Sequence, residues 1–224
     1  MAEEARRGTP EGYWAGTTAN GNTHNTIVLE DGTYWVAYGP MVGGVLAVAE
    51  FVQGSGTSNN GSFTSSNLRD YWSNGTVLQG SMSASFRPGS SFNGTITAGA
   101  GSTTFTGTAG SATYNYNTPA NLANIAGTWN MTQLNGTATI VTVAGGGGFT
   151  AVAGACTVTG TFTPRPSGKN VFNVIGTGDA GCVPANATIS GIGVWSQPSA
   201  GVQQLIVAAV TADRNGGVGL IGQR

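Results

Sequence analysis

A chain of 224 residues with 8% charged side chains, a single lysine and a net charge of −1 has little to set against phosphate, because nucleic-acid affinity comes from clustered Lys and Arg. No run of 18 apolar residues occurs, which excludes a membrane-spanning helix, and one histidine with two cysteines falls short of an ordinary zinc site. Glycine is abundant at 38 residues, yet β-branched and aromatic residues recur along the whole chain and the net charge is near zero, the composition of a folded protein rather than a disordered one.

Ala2 to Glu11 are polar, mixed in charge and broken by Gly8 and Pro10. Residues 1–10 therefore read as a flexible leader, suited to a tether. Gly12-Tyr13-Trp14 opens the first β segment. Asn-Gly and Asp-Gly pairs then punctuate the chain: Asn20-Gly21, Asp31-Gly32, Asn60-Gly61, Asn74-Gly75, Asn93-Gly94, Asn135-Gly136 and Asn215-Gly216. Both residues of such a pair tolerate the positive φ of a type I′ turn, so each predicts a hairpin.

The stretches between these turns alternate with period two. Met82, Ala84 and Phe86 share one face and Ser81, Ser83 and Ser85 the other. Phe92, Gly94, Ile96 and Ala98 oppose Asn93, Thr95 and Thr97; Phe105, Gly107 and Ala109 oppose Thr104, Thr106 and Thr108. One face is apolar and the other a ladder of hydroxyls, the pattern of an antiparallel sheet or barrel with a packed interior. Helical periodicity is absent except for one possible turn around Ala120 to Ile125.

Tyr114 to Asn121 carries Pro119 and several asparagines and reads as a linker, so the boundary is placed there: a first β unit over 11–118 and a second over 119–224. The second opens on Gly127-Thr128-Trp129, repeating the Gly-x-Trp of the first. In it Cys156, Val158, Gly160 and Phe162 oppose Thr157, Thr159 and Thr161. The prediction is an all-β protein of two tandem small antiparallel barrels or sandwiches made of hairpins. Two cysteines not spaced as C-x-x-C predict a structural disulfide, Cys156–Cys182, in an oxidising compartment.

Few residues invite a chemical role. His24 stands alone in a polar stretch and reads as a solvated loop residue. No Gly-x-Ser-x-Gly elbow is present, and Ala144 to Gly148 lacks the Lys-Ser/Thr of a phosphate loop. Of the acids, Asp31 belongs to a turn, while Asp70 beside Arg69 and Asp213 beside Arg214 suggest ion pairs or turn roles. No catalytic residue, cofactor or metal is expected. The aromatic constellation of Tyr34, Trp35 and Tyr38 with Arg69, Tyr71 and Trp72 is the candidate partner-binding set, since Tyr, Trp and Arg dominate binding hot spots. The alternative for these rings is burial at a barrel end or between the two halves.

The Gly-x-Trp opening, Glu30 to Trp35 (EDGTYW), Gly54 to Phe63 (GSGTSNNGSF), Ala155-Cys156-Thr157 with Thr161 to Arg165, and the closing Thr211 to Arg214 together resemble a group of uncharacterised lipoproteins of Gram-negative bacteria. The resemblance implies export, an amino-terminal lipid anchor on a cysteine just before Ala2, and a place in the periplasm or at the outer-membrane surface. It supplies no catalytic residues. Each half is also similar to the small barrels of lipocalins and of the transferrin-binding-protein type of surface lipoprotein. The expected function is a non-enzymatic envelope module that binds or scaffolds an envelope protein or glycan, with no nucleic acid and no membrane contact beyond the anchor. Two rivals are a lipocalin-like carrier, which needs a cavity of about 300 Å³, and a polysaccharide-acting hydrolase, which needs two carboxylates converging in a cleft with aromatics.

Overall fold

The computed structural model describes residues 8–224. The chain divides between Ala112 and Thr113 into two compact units. The first contains β1 (Gly12–Thr18), β2 (Thr23–Val28), β3 (Thr33–Gly39), β4 (Met41–Val42), β5 (Val45–Leu46), β6 (Glu50–Ser55), β7 (Thr57–Asn59), β8 (Ser62–Tyr71), β9 (Val77–Arg87), β10 (Ser91–Ala98) and β11 (Gly101–Ala109). Strand β6 pairs with both β3 and β8, and β1 with β11, so eight antiparallel strands close into a barrel. The β4–β5 ribbon stands apart and β7 pairs only with β8.

The second unit has a 3₁₀ turn at Leu122–Asn124, then β12 (Gly127–Gln133), β13 (Ala138–Val143), β14 (Gly148–Ala153), β15 (Cys156–Pro164), β16 (Phe172–Gly178), β17 (Thr188–Ser199), β18 (Val202–Thr211) and β19 (Gly217–Gln223). Each pairs with its chain neighbours, and β12 pairs with β19 to close a second eight-stranded barrel.

Alternation builds both walls. Met82, Ala84, Phe86, Phe92 and Phe105 are buried in the first core, with Ser81, Ser83 and Ser85 exposed opposite them. Across the second barrel Thr128, Thr142, Thr150, Thr159, Thr177 and Thr188 stand directly opposite one another on six neighbouring strands, all exposed. Cross-strand Thr pairs of this kind contribute about 0.2–1 kcal/mol each and wet the outer surface without charge.

The two Gly-x-Trp motifs play the same part in each barrel. Trp14 and Trp129 are 1% and 0% exposed. The indole N–H of Trp14 donates to the Pro10 carbonyl at 2.8 Å and that of Trp129 to the Ile125 carbonyl at 2.7 Å, each four residues upstream. Pro10 is thereby buried as part of the first barrel rather than of a leader. The rest of the expected leader, residues 1–7, lies outside the described residues, as does any residue before Ala2.

Two local readings are corrected. Asn93-Gly94 is not a turn but lies within β10, where a Cβ at Gly94 would come 2.3 Å from the Ser83 carbonyl oxygen; close strand approach, not positive φ, requires that glycine. The stretch 114–121 is not a free linker. The Tyr114 hydroxyl donates to the Asn170 carbonyl at 2.5 Å, the Ala120 amide to the Lys169 carbonyl at 3.2 Å, and Lys169 Nζ lies 5.0 Å over the Tyr116 ring. These contacts place the division near residue 112 rather than 118.

Candidate functional site

The interiors of the two barrels differ. One end of the first is filled by a chain of rings: Trp14, Tyr34, Phe63, Phe92 and Phe105 meet with centroid separations of 5.4–5.8 Å. The other end holds a cavity of about 270 Å³, walled by Val36, Val52, Met82, Ile96 and Phe105. The second barrel holds a cavity of about 60 Å³, lined mostly by aliphatic side chains and by Phe149 and Phe162.

Four side chains at the open end of the first cavity form one network. The Tyr38 hydroxyl lies 2.5 Å from Glu50 Oε2 and 2.8 Å from Asp70 Oδ1. The Trp72 indole N–H donates to Asp70 Oδ2 at 2.9 Å. A phenol has one proton and can donate it once, so its second contact requires a proton on a carboxyl. Asp70 receives the indole N–H, a donor that favours a charged acceptor. Assigning the extra proton to Glu50, the carboxyl without the indole, lets Glu50 donate to the phenol oxygen and the phenol donate on to Asp70.

Burial pushes both carboxyls above their usual range; the Tyr38 hydroxyl pulls each back down, the Asp70 charge pushes Glu50 up again, and the Trp72 indole draws Asp70 further down. Burial and the two acids drive the Tyr38 hydroxyl well above its ordinary value.

His24 is 1% exposed and lines the same cavity. It is not a solvated loop residue, as its sequence surroundings suggest, but the second residue of β2, facing inward. Its Nε2 lies 3.0 Å from the Thr106 carbonyl, which can only accept, so Nε2 bears the proton and donates; Nδ1 then accepts from the Thr26 hydroxyl at 3.0 Å. Both ring nitrogens are satisfied in the neutral form, and burial holds the pKa below the ordinary value.

Asp70 reaches the cavity because of a bulge. The β8–β9 register shifts between Ser65 and Leu68, which inverts the alternation midway along β8. Phe63 and Ser65 point inward before it; Leu68 and Asp70 point inward after it. Arg69 points outward, so the expected Arg69–Asp70 ion pair is overturned: neighbours on a strand face opposite sides.

The six aromatic and arginine candidates therefore separate. Tyr38 and Trp72 join the cavity network, with Trp72 at 40% exposure on its rim. Tyr34 lies in the packed core, its hydroxyl donating to Ser65 Oγ at 2.9 Å, with no surface to offer a partner. Trp35 and Tyr71 lie on the outer wall around Phe51, with Phe51 and Tyr71 stacked 4.5 Å apart and Trp35 6.2 Å from Phe51. Arg69 is on that outer side as well, bonded through Nη1 to the Leu68 carbonyl. Sequence reading missed Glu50, Asp70 and His24 as site residues, although Glu50 alternates with Val52 and His24 with Thr26, a signal that was available.

The carboxyls cost stability, and this gives a testable sign. A group whose native pKa is raised binds more protons folded than unfolded between the ordinary carboxylate range and its raised value. Stability falls as pH rises through that window and stays reduced above it. Glu50→Gln, whose amide can still donate to Tyr38, is expected to raise Tm at pH 7.5, with the gain vanishing below about pH 4. Thermal unfolding across that range checks it; a gain that persisted at low pH would contradict the assignment.

Cys156 and Cys182 are joined as a disulfide, which leaves no thiolate for a metal where they meet Asp179. Among the described residues no helix is long and apolar enough to cross a membrane.

No protein-family model matches the chain, and neither does any curated protein. Among solved structures, two mutant forms of the vaccine antigen transferrin-binding protein B from Haemophilus parasuis Hp5 are similar at 9% identity and TM-scores of 0.31 and 0.30, over 90% of this chain. The chain spans 65% of the length of that protein. A protein of unknown function from the DUF3598 family of Nostoc punctiforme is similar at 11% identity and a TM-score of 0.29, over 95% of both chains.

Proposed function

We infer that the protein is a non-enzymatic binding protein that holds a small, mostly apolar molecule in the open end of its first barrel, with the second barrel as a closed support. The observation that carries this reading is the space of about 270 Å³ beside buried polar groups in the first barrel, against a cavity of about 60 Å³ lined mostly by aliphatic side chains in the second. The volume lies just under the roughly 300–1,000 Å³ of ordinary ligand pockets, so the ligand is of one-ring or short-chain size.

Two carboxyls with aromatics in a cleft also describe a glycoside hydrolase. A hydrolase needs the space between its carboxyls for the sugar, and here the Tyr38 hydroxyl occupies it, bonded to both. The arrangement thus favours binding. A location outside the cytoplasm is supported by the disulfide; lipid anchoring to the envelope belongs to the same proposal and rests on the sequence resemblance.

Ligand-observed NMR with a panel of one-ring neutral and charged molecules tests the container. Binding is expected to the native protein and to Ile140→Trp, on the exposed face of the second barrel, and to be lost in Ile96→Trp and Ala98→Phe, which fill the cavity while circular dichroism confirms folding. Binding that survives both cavity variants, or no binding by the native protein, overturns the reading.

A further inference from the structure

We propose that the first-barrel cavity selects small amines, taking the protonated amine against Asp70 and Glu50 and the apolar body against Trp72 and the aliphatic wall. The inference deepens the container reading and rests on it.

Asp70 is 7% exposed. Aspartate is almost never buried to that degree without a charge partner, because an unbalanced ion in a low-dielectric interior costs several kcal/mol even after relaxation. Yet its partners are neutral, the Trp72 indole and the Tyr38 phenol. Among the described residues that line the cavity, the titratable groups are His24 on β2, Tyr38 on β3, Glu50 on β6 and Asp70 on β8, and none is a lysine or arginine. The strands that complete the wall, β1, β9, β10 and β11, add only apolar, glycine and hydroxyl residues. His24 brings no positive charge, since both its nitrogens are committed in the neutral form. The cavity is thus a buried site of negative potential with no internal cation.

Size and shape narrow the class. The wall of Val36, Val52, Met82, Ile96 and Phe105 suits an aliphatic chain or a single ring. Trp72, at the rim and 40% exposed, is the ring type that best attracts a cation. A carboxylate or phosphate ligand would meet like charge, and a neutral one would leave Asp70 unbalanced.

The protons balance as follows. In the empty site Glu50 holds a proton and donates it to the Tyr38 oxygen. An entering ammonium group takes over as donor to the Glu50 carboxyl, and the Glu50 proton leaves to solvent. The amine keeps its own proton and Tyr38 continues to donate to Asp70. Binding therefore exchanges one cation for one proton, and affinity rises with pH until Glu50 is ionised in the free protein.

Calorimetric titration of the whole chain with phenethylamine, 2-phenylethanol and 3-phenylpropionate separates the possibilities, because the three differ chiefly in charge. Phenethylamine is expected to bind about tenfold or more tighter than the alcohol, as a charge-assisted hydrogen bond allows, and the propionate weakest. Comparison of buffers with different ionisation heats should show release of up to about one proton per amine bound in mildly acidic solution. Glu50→Gln should abolish that release and weaken amine binding, because the charge-assisted bond to Glu50 is lost. Asp70→Asn should bring amine affinity down to that of the alcohol. If amine and alcohol bind equally, or Asp70→Asn leaves the amine preference intact, the amine assignment fails and the container stands. If none of the three binds, the amine assignment is overturned; the container is then judged on the panel alone.

Discussion

Replacing Trp129 by alanine is expected to destabilise the second barrel by about 3–5 kcal/mol, the range for removing a buried large aromatic, and Trp14→Ala to do the same in the first. Both rings are essentially without exposure, and each ties the wall of its barrel to the segment that enters it through the indole N–H. Trp129 has a further partner. The Arg224 guanidinium lies 4.0 Å from its ring and donates to the Ala126 carbonyl at 2.9 Å and the Asn124 carbonyl at 3.1 Å, while its Nε donates to Gln203 Oε1 at 3.0 Å. The ring, the 3₁₀ turn and the end of the chain are thus held as one lid, so truncation at Trp129 should release all three. Phenylalanine at either position keeps most of the buried ring and removes only the N–H bond, and should cost about 1 kcal/mol. Urea unfolding of the four variants checks the order. A loss below about 1 kcal/mol for either alanine would mean that the motif is a sequence repeat without a structural task.

Much of this architecture was legible in the sequence, because each barrel wall is written in two local codes. Gly21, Gly32, Gly61, Gly75 and Gly136 all have positive φ, but of the paired residues before them only Asn60 does, so only Asn60-Gly61 has the expected type I′ geometry, and the turn at Asn215-Gly216 puts its positive φ at Arg214 instead. The Met82–Phe86 and Phe92–Ala98 alternations land on the core side as their period dictates. The disulfide follows from cysteine arithmetic, and the 3₁₀ turn at Leu122–Asn124 falls within the one stretch where a helical turn was expected.

The site was legible only in pieces, for reasons of geometry. Tyr38 and Trp72 could be found because aromatics are conspicuous. Asp70 could not, because a single-residue bulge inverts the face it occupies, and alternation counted through β8 without it places Arg69 and Tyr71 inside. His24 looked polar because its neighbours Thr23 and Asn25 are polar. Those neighbours lie on the other face of β2, whereas His24 shares its own with Thr26 and lies 5.6 Å from the Phe105 ring. The empty volume itself depends on which inward residues meet across the barrel. Thr26 and Ala98 leave space at the open end of the first, while Phe149, Phe162 and Leu220 close it in the second. No local pattern encodes that sum.

Removing the disulfide is expected to cost the second barrel about 3.5 kcal/mol in the chain-entropy account, since the bond closes a sequence separation of 26 residues. The bond joins the start of β15 to the connection between β16 and β17, which is tied to β15 also by the Asp179 amide donating to the Thr157 carbonyl at 2.9 Å. Asp179 Oδ1 accepts from the Thr157 amide at 3.2 Å and from the Gly181 amide at 2.9 Å, bonds that hold its carboxyl below the usual range although it is exposed. Gly181 passes so close to the β14–β15 turn that a Cβ there would lie 2.1 Å from the Ala155 carbonyl oxygen. The loop is thus pinned covalently at Cys182 and beside it at Asp179, whose amide and exposed carboxylate both bond to Thr157. The double variant Cys156→Ala, Cys182→Ala avoids stray thiols and should unfold at correspondingly lower urea, with its first proteolytic cuts between residues 179 and 187. The native protein, denatured without reductant, should show no titratable thiol. If the double variant lost less than about 1 kcal/mol, the denatured chain would already hold this region together without the bond, and the entropic account would be wrong for this barrel.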